Sequence, residues 1–176
     1  MKSAVEQSHE FLKPCLHKGA VCIDATLGHG KDALFFLKNW VRKVYGFEIQ
    51  EEVYLETKEQ IQMHGFIPLL SGHETMDQYV KEEVDAIEFN FGYCPHLNSS
   101  IKTQTDTSLV AVQKGLSLLK KKGRMALVFY PHKEGKEEAR IIESYLETLD
   151  PRSFYIEKRI QCNQLNSPYL IGIEKY

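Results

Sequence analysis

No stretch of this 176-residue chain approaches the roughly 18 consecutive apolar residues that a membrane-spanning helix needs. Its opening residues, Met1-Lys2-Ser3-Ala4-Val5-Glu6-Gln7, lack the apolar core of a secretory signal, so a cytoplasmic location with no membrane partner is expected. Charge of one sign is scarce as well. With 22 Lys and Arg against 24 Asp and Glu, the formal net charge is −2, which excludes a general nucleic-acid coat protein and leaves room only for a local basic patch. The four cysteines, Cys15, Cys22, Cys94 and Cys162, contain no C-x-x-C pair and are expected to be reduced thiols. The seven histidines fall without metal-ligand spacing, so no metal site is expected. Linkers, repeats and low-complexity tracts are missing too. Residues 1–176 therefore read as one domain, and 43% hydrophobic residues are enough for a sizeable core.

What is present is organised around Cys22-Ile23-Asp24-Ala25-Thr26-Leu27-Gly28-His29-Gly30-Lys31-Asp32, a short apolar strand that runs through a glycine-bearing turn into a helix. Gly28 and Gly30 can adopt positive φ or admit a ligand close to the backbone. In an open α/β sheet such a turn lies at the carboxyl ends of the strands, where ligands bind. A second strand ends at Glu48, about 20 residues beyond the glycines, the spacing of an acid that binds a ribose diol. An ionised Glu is acceptor-only and can take both hydroxyl protons. A dinucleotide-binding turn would place a third glycine where Ala33 stands, and Asp24 would repel a pyrophosphate but attract a cationic sulfonium. The pattern points to S-adenosylmethionine rather than to a dinucleotide.

Helical spacing predicts helices over residues 3–17, weakened near its end by Pro14, and over 31–40 and 51–64, the latter closed by Gly65. A single helical turn is expected at 76–80 and a helix at 135–148. Between them Leu109, Val112, Leu116 and Leu119 form a core-facing stripe, and Lys120-Lys121-Lys122-Gly123 would close that helix with cations suited to its C-terminus. Strands are expected at 20–23, 43–49, 66–70, 124–130, 154–160 and 169–173, with a fourth strand beginning at Val84 and running into Asn90-Phe91-Gly92-Tyr93. Residues 98–105 read as a polar surface loop. Strands and helices alternate five times before two strands follow in succession. This pattern predicts an α/β, Rossmann-like fold: a mostly parallel seven-stranded sheet with one antiparallel strand near the C-terminus and helices on both faces.

Asn90, at the end of the fourth strand, carries a side-chain carbonyl able to accept a hydrogen bond from an amine, and backbone carbonyls around Phe91 could accept a second. Such acceptors would aim a nitrogen lone pair at a methyl group. Tyr93 could stack on a base, and His132, after the fifth strand, could take a proton. A capping Asn90, a packing Tyr93 and a plain surface His132 are the competing structural readings. Lys102, Lys133, Lys136 and Arg140 could give this rim a positive field, although Glu134, Glu137 and Glu138 interleave with them and favour a solvated mixed face.

Four segments taken together resemble a known family: Asp24-Ala-Thr-Leu-Gly-His-Gly-Lys-Asp32, Phe89-Asn-Phe-Gly-Tyr-Cys-Pro95, Tyr130-Pro-His-Lys-Glu-Gly-Lys-Glu-Glu138 and Asn166-Ser-Pro-Tyr-Leu-Ile-Gly-Ile-Glu174. They are similar to the small putative rRNA methylases, a family associated with tRNA 5-(aminomethyl)-2-thiouridine methyltransferase activity. The resemblance implies a class I S-adenosylmethionine-dependent methyltransferase that acts on the exocyclic amine of a wobble uridine in the tRNA anticodon region, often as a homodimer. It further implies cofactor contacts from Asp24, Thr26, Gly28, His29, Gly30, Asp32, Glu48, Ile49, His73, Asn90 and Phe91, and catalytic roles for Asn90, Tyr93 and His132. The chain departs from the family after Tyr93, where two glycines and a lysine of the usual loop give way to Cys94, His96, Leu97, Asn98 and Ser99. The segment around His132 is one residue shorter than usual. An rRNA or small-molecule N-methyltransferase stays open as an alternative, as does a catalytically silent protein that only binds S-adenosylmethionine.

Overall fold

The computed structural model describes residues 2–92, 105–131, 135–164 and 166–176. Seven strands form one sheet: β1 (Val21–Asp24), β2 (Lys43–Glu48), β3 (Phe66–Leu70), β4 (Val84–Phe91), β5 (Leu119–Phe129), β6 (Phe154–Arg159) and β7 (Tyr169–Lys175). Their order across the sheet is β3-β2-β1-β4-β5-β7-β6. The first five strands pair in parallel, and β7 runs antiparallel to both β5 and β6. The expected mostly parallel sheet with one reversed strand is what the chain forms. β1 is buried along its whole length, as a strand covered on both faces must be. The chain leaves β1 in one direction across the sheet and β4 in the other, so a crevice opens between their carboxyl ends.

Helices cover both faces: α1 (Ala4–Leu12), α2 (Lys31–Lys38), α3 (Glu51–Gln60), the short α4 (Met76–Tyr79), α5 (Thr105–Leu118) and α6 (Gly135–Leu146). One face buries Ile87, Phe89, Met125 and Leu127 beneath α4, α5 and α6, through Met76, Val112, Leu116 and Ile142. The opposite face buries Cys22, Ala86, Ala126 and Val128 beneath α1 and α2, through Leu12, Ala33 and Phe36. Small residues on this second face let α1 lie close. A Cβ at Gly172 of β7 would come within 2.9 Å of the Phe11 ring. Arg124 of β5 donates to the Phe11 carbonyl at 2.8 Å and pairs with Glu174. Helix α1 begins with a capping box, in which Ser3 and Glu6 satisfy each other's backbone N–H groups.

The element boundaries differ from expectation at three places, each for a local reason. The first helix stops at Leu12 and tightens into a 3-10 turn over Lys13–Cys15, because Pro14 has no N–H to continue the α ladder. Helix α3 ends at Gln60 rather than near residue 64, and Ile61 turns inward against the glycine turn with 5% of its surface exposed. The lysine run after α5 does not close the helix. Leu119 already pairs with Val84 as the start of β5, and Lys122 adopts φ 65 before the register resumes at Arg124. Lys175 of β7 takes over the capping role, donating to the carbonyls of Leu116 and Leu119 at 3.0 and 2.7 Å. Among the described residues no helix is long and apolar enough to cross a membrane, and no acid, His and Cys cluster could hold a metal. Cys15, Cys22 and Cys162 are free thiols.

Candidate functional site

The glycine turn is built from its own backbone and from the strand beside it. Asp24 ends β1 fully buried, and its two carboxylate oxygens accept from the Thr26 and Ala33 N–H groups at 3.3 and 2.9 Å. Asp24 therefore folds the turn from the inside. Gly28 has φ 47 and Gly30 has φ 72, both in the left-handed region where a side chain is strained. They differ in surroundings. A Cβ on Gly28 would meet nothing closer than 4.0 Å, whereas one on Gly30 would sit 2.5 Å from Ile61 Cδ1 and 2.8 Å from Thr57 Cγ2. Thr57 also donates to the Gly28 carbonyl at 2.7 Å. Gly30 is thus required by packing against α3, and Gly28 leaves an open approach to the backbone.

Glu48, at the end of β2, reaches the same turn. One carboxylate oxygen accepts from the Gly28 N–H at 3.0 Å and the other from the Gln50 N–H at 2.9 Å. A carboxylate has about four acceptor positions, so two remain for a diol. Asn90 closes the far wall. Its backbone N–H donates to Thr26 Oγ1 at 2.8 Å, and its side-chain Nδ2 donates to Asp32 at 2.7 Å. Its Oδ1 is buried and has no hydrogen-bond partner among the described residues. Buried acceptors are almost always satisfied, so this oxygen is an unmet acceptor at the carboxyl edge of the sheet.

Behind Asn90 lies a group of acids with no lysine or arginine paired to them among the described residues. Glu88 sits opposite Asp24 in the strand register and is fully buried. Burial pushes the Asp24 and Glu88 carboxyls up from the usual carboxylate range, and the neighbouring Asp32 adds to both shifts. Ser8 of α1 lies 2.6 Å from Glu88 and 2.8 Å from the Val5 carbonyl. The Ser8 hydroxyl donates to Glu88 Oε1, and Glu88 Oε2 is buried with no hydrogen-bond partner among the described residues. His73, buried behind the turn, donates from Nδ1 to the Ala25 carbonyl at 3.2 Å, and burial pushes its pKa down. It packs edge-on against Phe89 and Phe91, the first rings of a stack that continues through Phe129 to Tyr169.

Asp24, Thr26, Gly28, Gly30, Asp32, Glu48 and Asn90 are brought together at one crevice. His73 and Phe91 are buried beneath it and shape its floor, while His29 and Ile49 are exposed at its edge. Tyr93, His132, Cys94, Lys102, Lys133 and the polar loop at 98–104 lie outside the described residues. On the nearby rim Arg140 is taken up by Glu137. Sequence reasoning missed Ser8, His9, Thr57 and Glu88. The first two stand on a helix that ends about a dozen residues before the turn, and spacing gives no sign that α1 would lie across β5 and β7 and reach Glu88 of β4.

The family described as "Putative rRNA methylase" matches residues 44–174. Among curated proteins, the chain is 30% identical over 196 residues to "tRNA (mnm(5)s(2)U34)-methyltransferase, chloroplastic" of Arabidopsis thaliana, an alignment covering 99% of this chain and 70% of that protein. It also resembles a crystal structure of a "putative rRNA-methylase" from Clostridium thermocellum, with TM-score 0.93, 30% identity, and 100% and 99% of the two chains covered. A "putative methyltransferase" from Streptococcus mutans in complex with SAH matches with TM-score 0.91, 36% identity, and the same coverage.

Proposed function

The chain belongs to the rRNA methylase family, and on that premise we propose that this methyltransferase N-methylates the aminomethyl group of a modified wobble uridine in tRNA. The Arabidopsis relative supports the wobble position, and the S. mutans structure with SAH supports S-adenosylmethionine as cofactor. The crevice fits that cofactor on its own features: the open side of Gly28, the spare acceptor capacity of Glu48 and the unmet acceptor at Asn90. When bound, S-adenosylmethionine supplies a methyl group on a cationic sulfur, which an amine lone pair takes as the carbon–sulfur bond breaks, leaving S-adenosylhomocysteine.

The residues of the chain then have distinct tasks. Glu48 holds the ribose hydroxyls, and the Gly28 backbone gives close approach to the cofactor. Asn90 Oδ1 accepts one N–H of the amine, which must be neutral to react, and so fixes where the lone pair points. Orientation of this kind can supply several kcal/mol of barrier reduction. From sequence position, Tyr93 is assigned to stacking on the base and His132 to receiving the amine's proton. One domain carries all these tasks. Assembly as a homodimer is a further part of the proposal, supported by family resemblance, and cytoplasmic action is another, supported by the sequence features that led to that expectation.

The observation that carries this reading is the buried Asn90 Oδ1 beside the glycine turn, unpartnered among the described residues. A protein that had lost its chemistry would have no need to keep an acceptor exposed to that cost. The test is incubation with S-adenosylmethionine and tRNA bearing 5-aminomethyl-2-thiouridine, followed by mass analysis of nucleosides. A gain of one methyl on that nucleoside is expected. Methylation of rRNA alone, or no transfer at all, would overturn it.

A further inference from the structure

We propose that His9 of α1 is a positioning residue for the methyl transfer, acting through Asp32 to fix the side-chain amide of Asn90; this inference rests on the acceptor role assigned to Asn90 above. His9 Nε2 lies 2.6 Å from Asp32 Oδ1, and the other carboxylate oxygen accepts from Asn90 Nδ2 at 2.7 Å. Carboxylate oxygens only accept, so His9 presents an N–H to Asp32. The imidazole cannot swing away, because its ring is stacked flat on Phe35 with centroids 3.8 Å apart. Helix α1 is in turn fixed on the sheet by Arg124 and by the Phe11–Gly172 contact.

The need for such a chain comes from the shape of an amide. The oxygen and nitrogen of a carboxamide are nearly equal in size, so packing alone does not choose which of them faces the crevice. Asp32 makes the choice, since it can bond only to the nitrogen. That choice holds only while the carboxylate keeps one oxygen turned toward Asn90, and His9 on the other oxygen is what prevents its rotation. Without the His9 donor, Asp32 can turn to water, and the Asn90 amide can flip. A flipped amide presents N–H groups to an amine and loses the acceptor.

Two variants separate this role from mere packing. His9→Phe keeps a ring against Phe35 and removes the donor, whereas His9→Gln keeps a donor. With S-adenosylmethionine and the aminomethyl tRNA as probes, His9→Phe is expected to lower kcat about tenfold, with KM for tRNA and cofactor Kd within about twofold of wild type. His9→Gln should recover most of the loss. Independently of activity, the Asn90 side-chain NH2 resonances of the cofactor-free protein should shift in His9→Phe and exchange with solvent about tenfold faster, but not in His9→Gln. Unchanged kcat in a folded His9→Phe, a matching loss of cofactor affinity, or unmoved Asn90 resonances would each overturn the inference. Absence of amine methylation by the wild-type protein would overturn the functional reading instead, and the resonance measurement would still decide the part played by His9.

Discussion

The two ends of the sheet treat their carboxylates in opposite ways. At the amino end, Glu82 pairs with Arg42 and Lys43, and Asp85 takes Lys120 at 2.9 Å together with the Val21 N–H. Among the described residues at the carboxyl end, Asp24, Asp32, Glu48 and Glu88 have no lysine or arginine partner, and Asn90 Oδ1 has no hydrogen-bond partner. The amino end is satisfied from within the chain, which is what a purely structural edge requires. The carboxyl end holds its acids with backbone N–H groups, one histidine, one serine and the Asn90 amide, and it leaves acceptor capacity facing the crevice. A cationic cofactor with a ribose diol, and an amine with N–H groups, are the ligands that such an edge is short of.

The contrast can be broken by single substitutions. Its largest expected effect is at Asn90: Asn90→Ala should lower kcat on the order of a hundredfold or more. Cofactor affinity should hardly move, since the lost contact is to the amine. Gly30→Ala comes next. With φ 72 and a Cβ placed 2.5 Å from Ile61, this change should destabilise the fold by about 1–3 kcal/mol, read as a lower midpoint in urea. The open surroundings of Gly28 predict a smaller loss of stability for Gly28→Ala, carried by backbone strain alone.

The two ends should also titrate in opposite senses. Glu82 is held down to about 2 by its hydrogen bonds to Lys43 and then Arg42, so it ionises more readily folded than unfolded. Its contribution is present above its ordinary value of 4.5 and is lost as pH falls toward about 2. It is small, because the side chain is 31% exposed and screened by solvent. Glu88 is pushed up by burial, then by Asp32, and holds its proton more tightly folded than unfolded. Stability from this group is full below 4.5 and declines as pH rises from there toward its folded value. Glu88→Gln cannot ionise, so it should remove that decline and melt above wild type at neutral pH. Thermal melts across pH check both signs.

The sheet was legible in the sequence because its signals are local. Apolar runs ending at Asp24 and Glu48, the glycines between them, and the regular return of helical stripes determine parallel order without knowledge of tertiary contacts. The lysine run at 120–122 misled for the opposite reason. A cation near a helix end is a good local signal for a cap, yet Lys120 is drawn to Asp85, and the cap comes from Lys175 on a distant strand. The site divided along the same line. Glu48, Asn90 and the glycine turn follow from spacing. His9, Ser8 and Glu88 matter only because α1 crosses β5 and β7 and reaches β4, a placement fixed by Phe11 on Gly172 and by Arg124. No motif in the chain announces that crossing.

The claim that the carboxyl end serves ligand and the amino end serves fold is tested most directly by calorimetric titration of S-adenosylmethionine into one carboxylate variant from each end. Glu48→Ala should bind at least tenfold more weakly, as expected for the loss of charge-assisted hydrogen bonds worth about 1.5–3 kcal/mol each. Glu82→Ala should bind within about twofold of wild type while melting at a lower temperature. Equal affinity in a folded Glu48→Ala, or a loss in Glu82→Ala as large as at Glu48, would contradict the account.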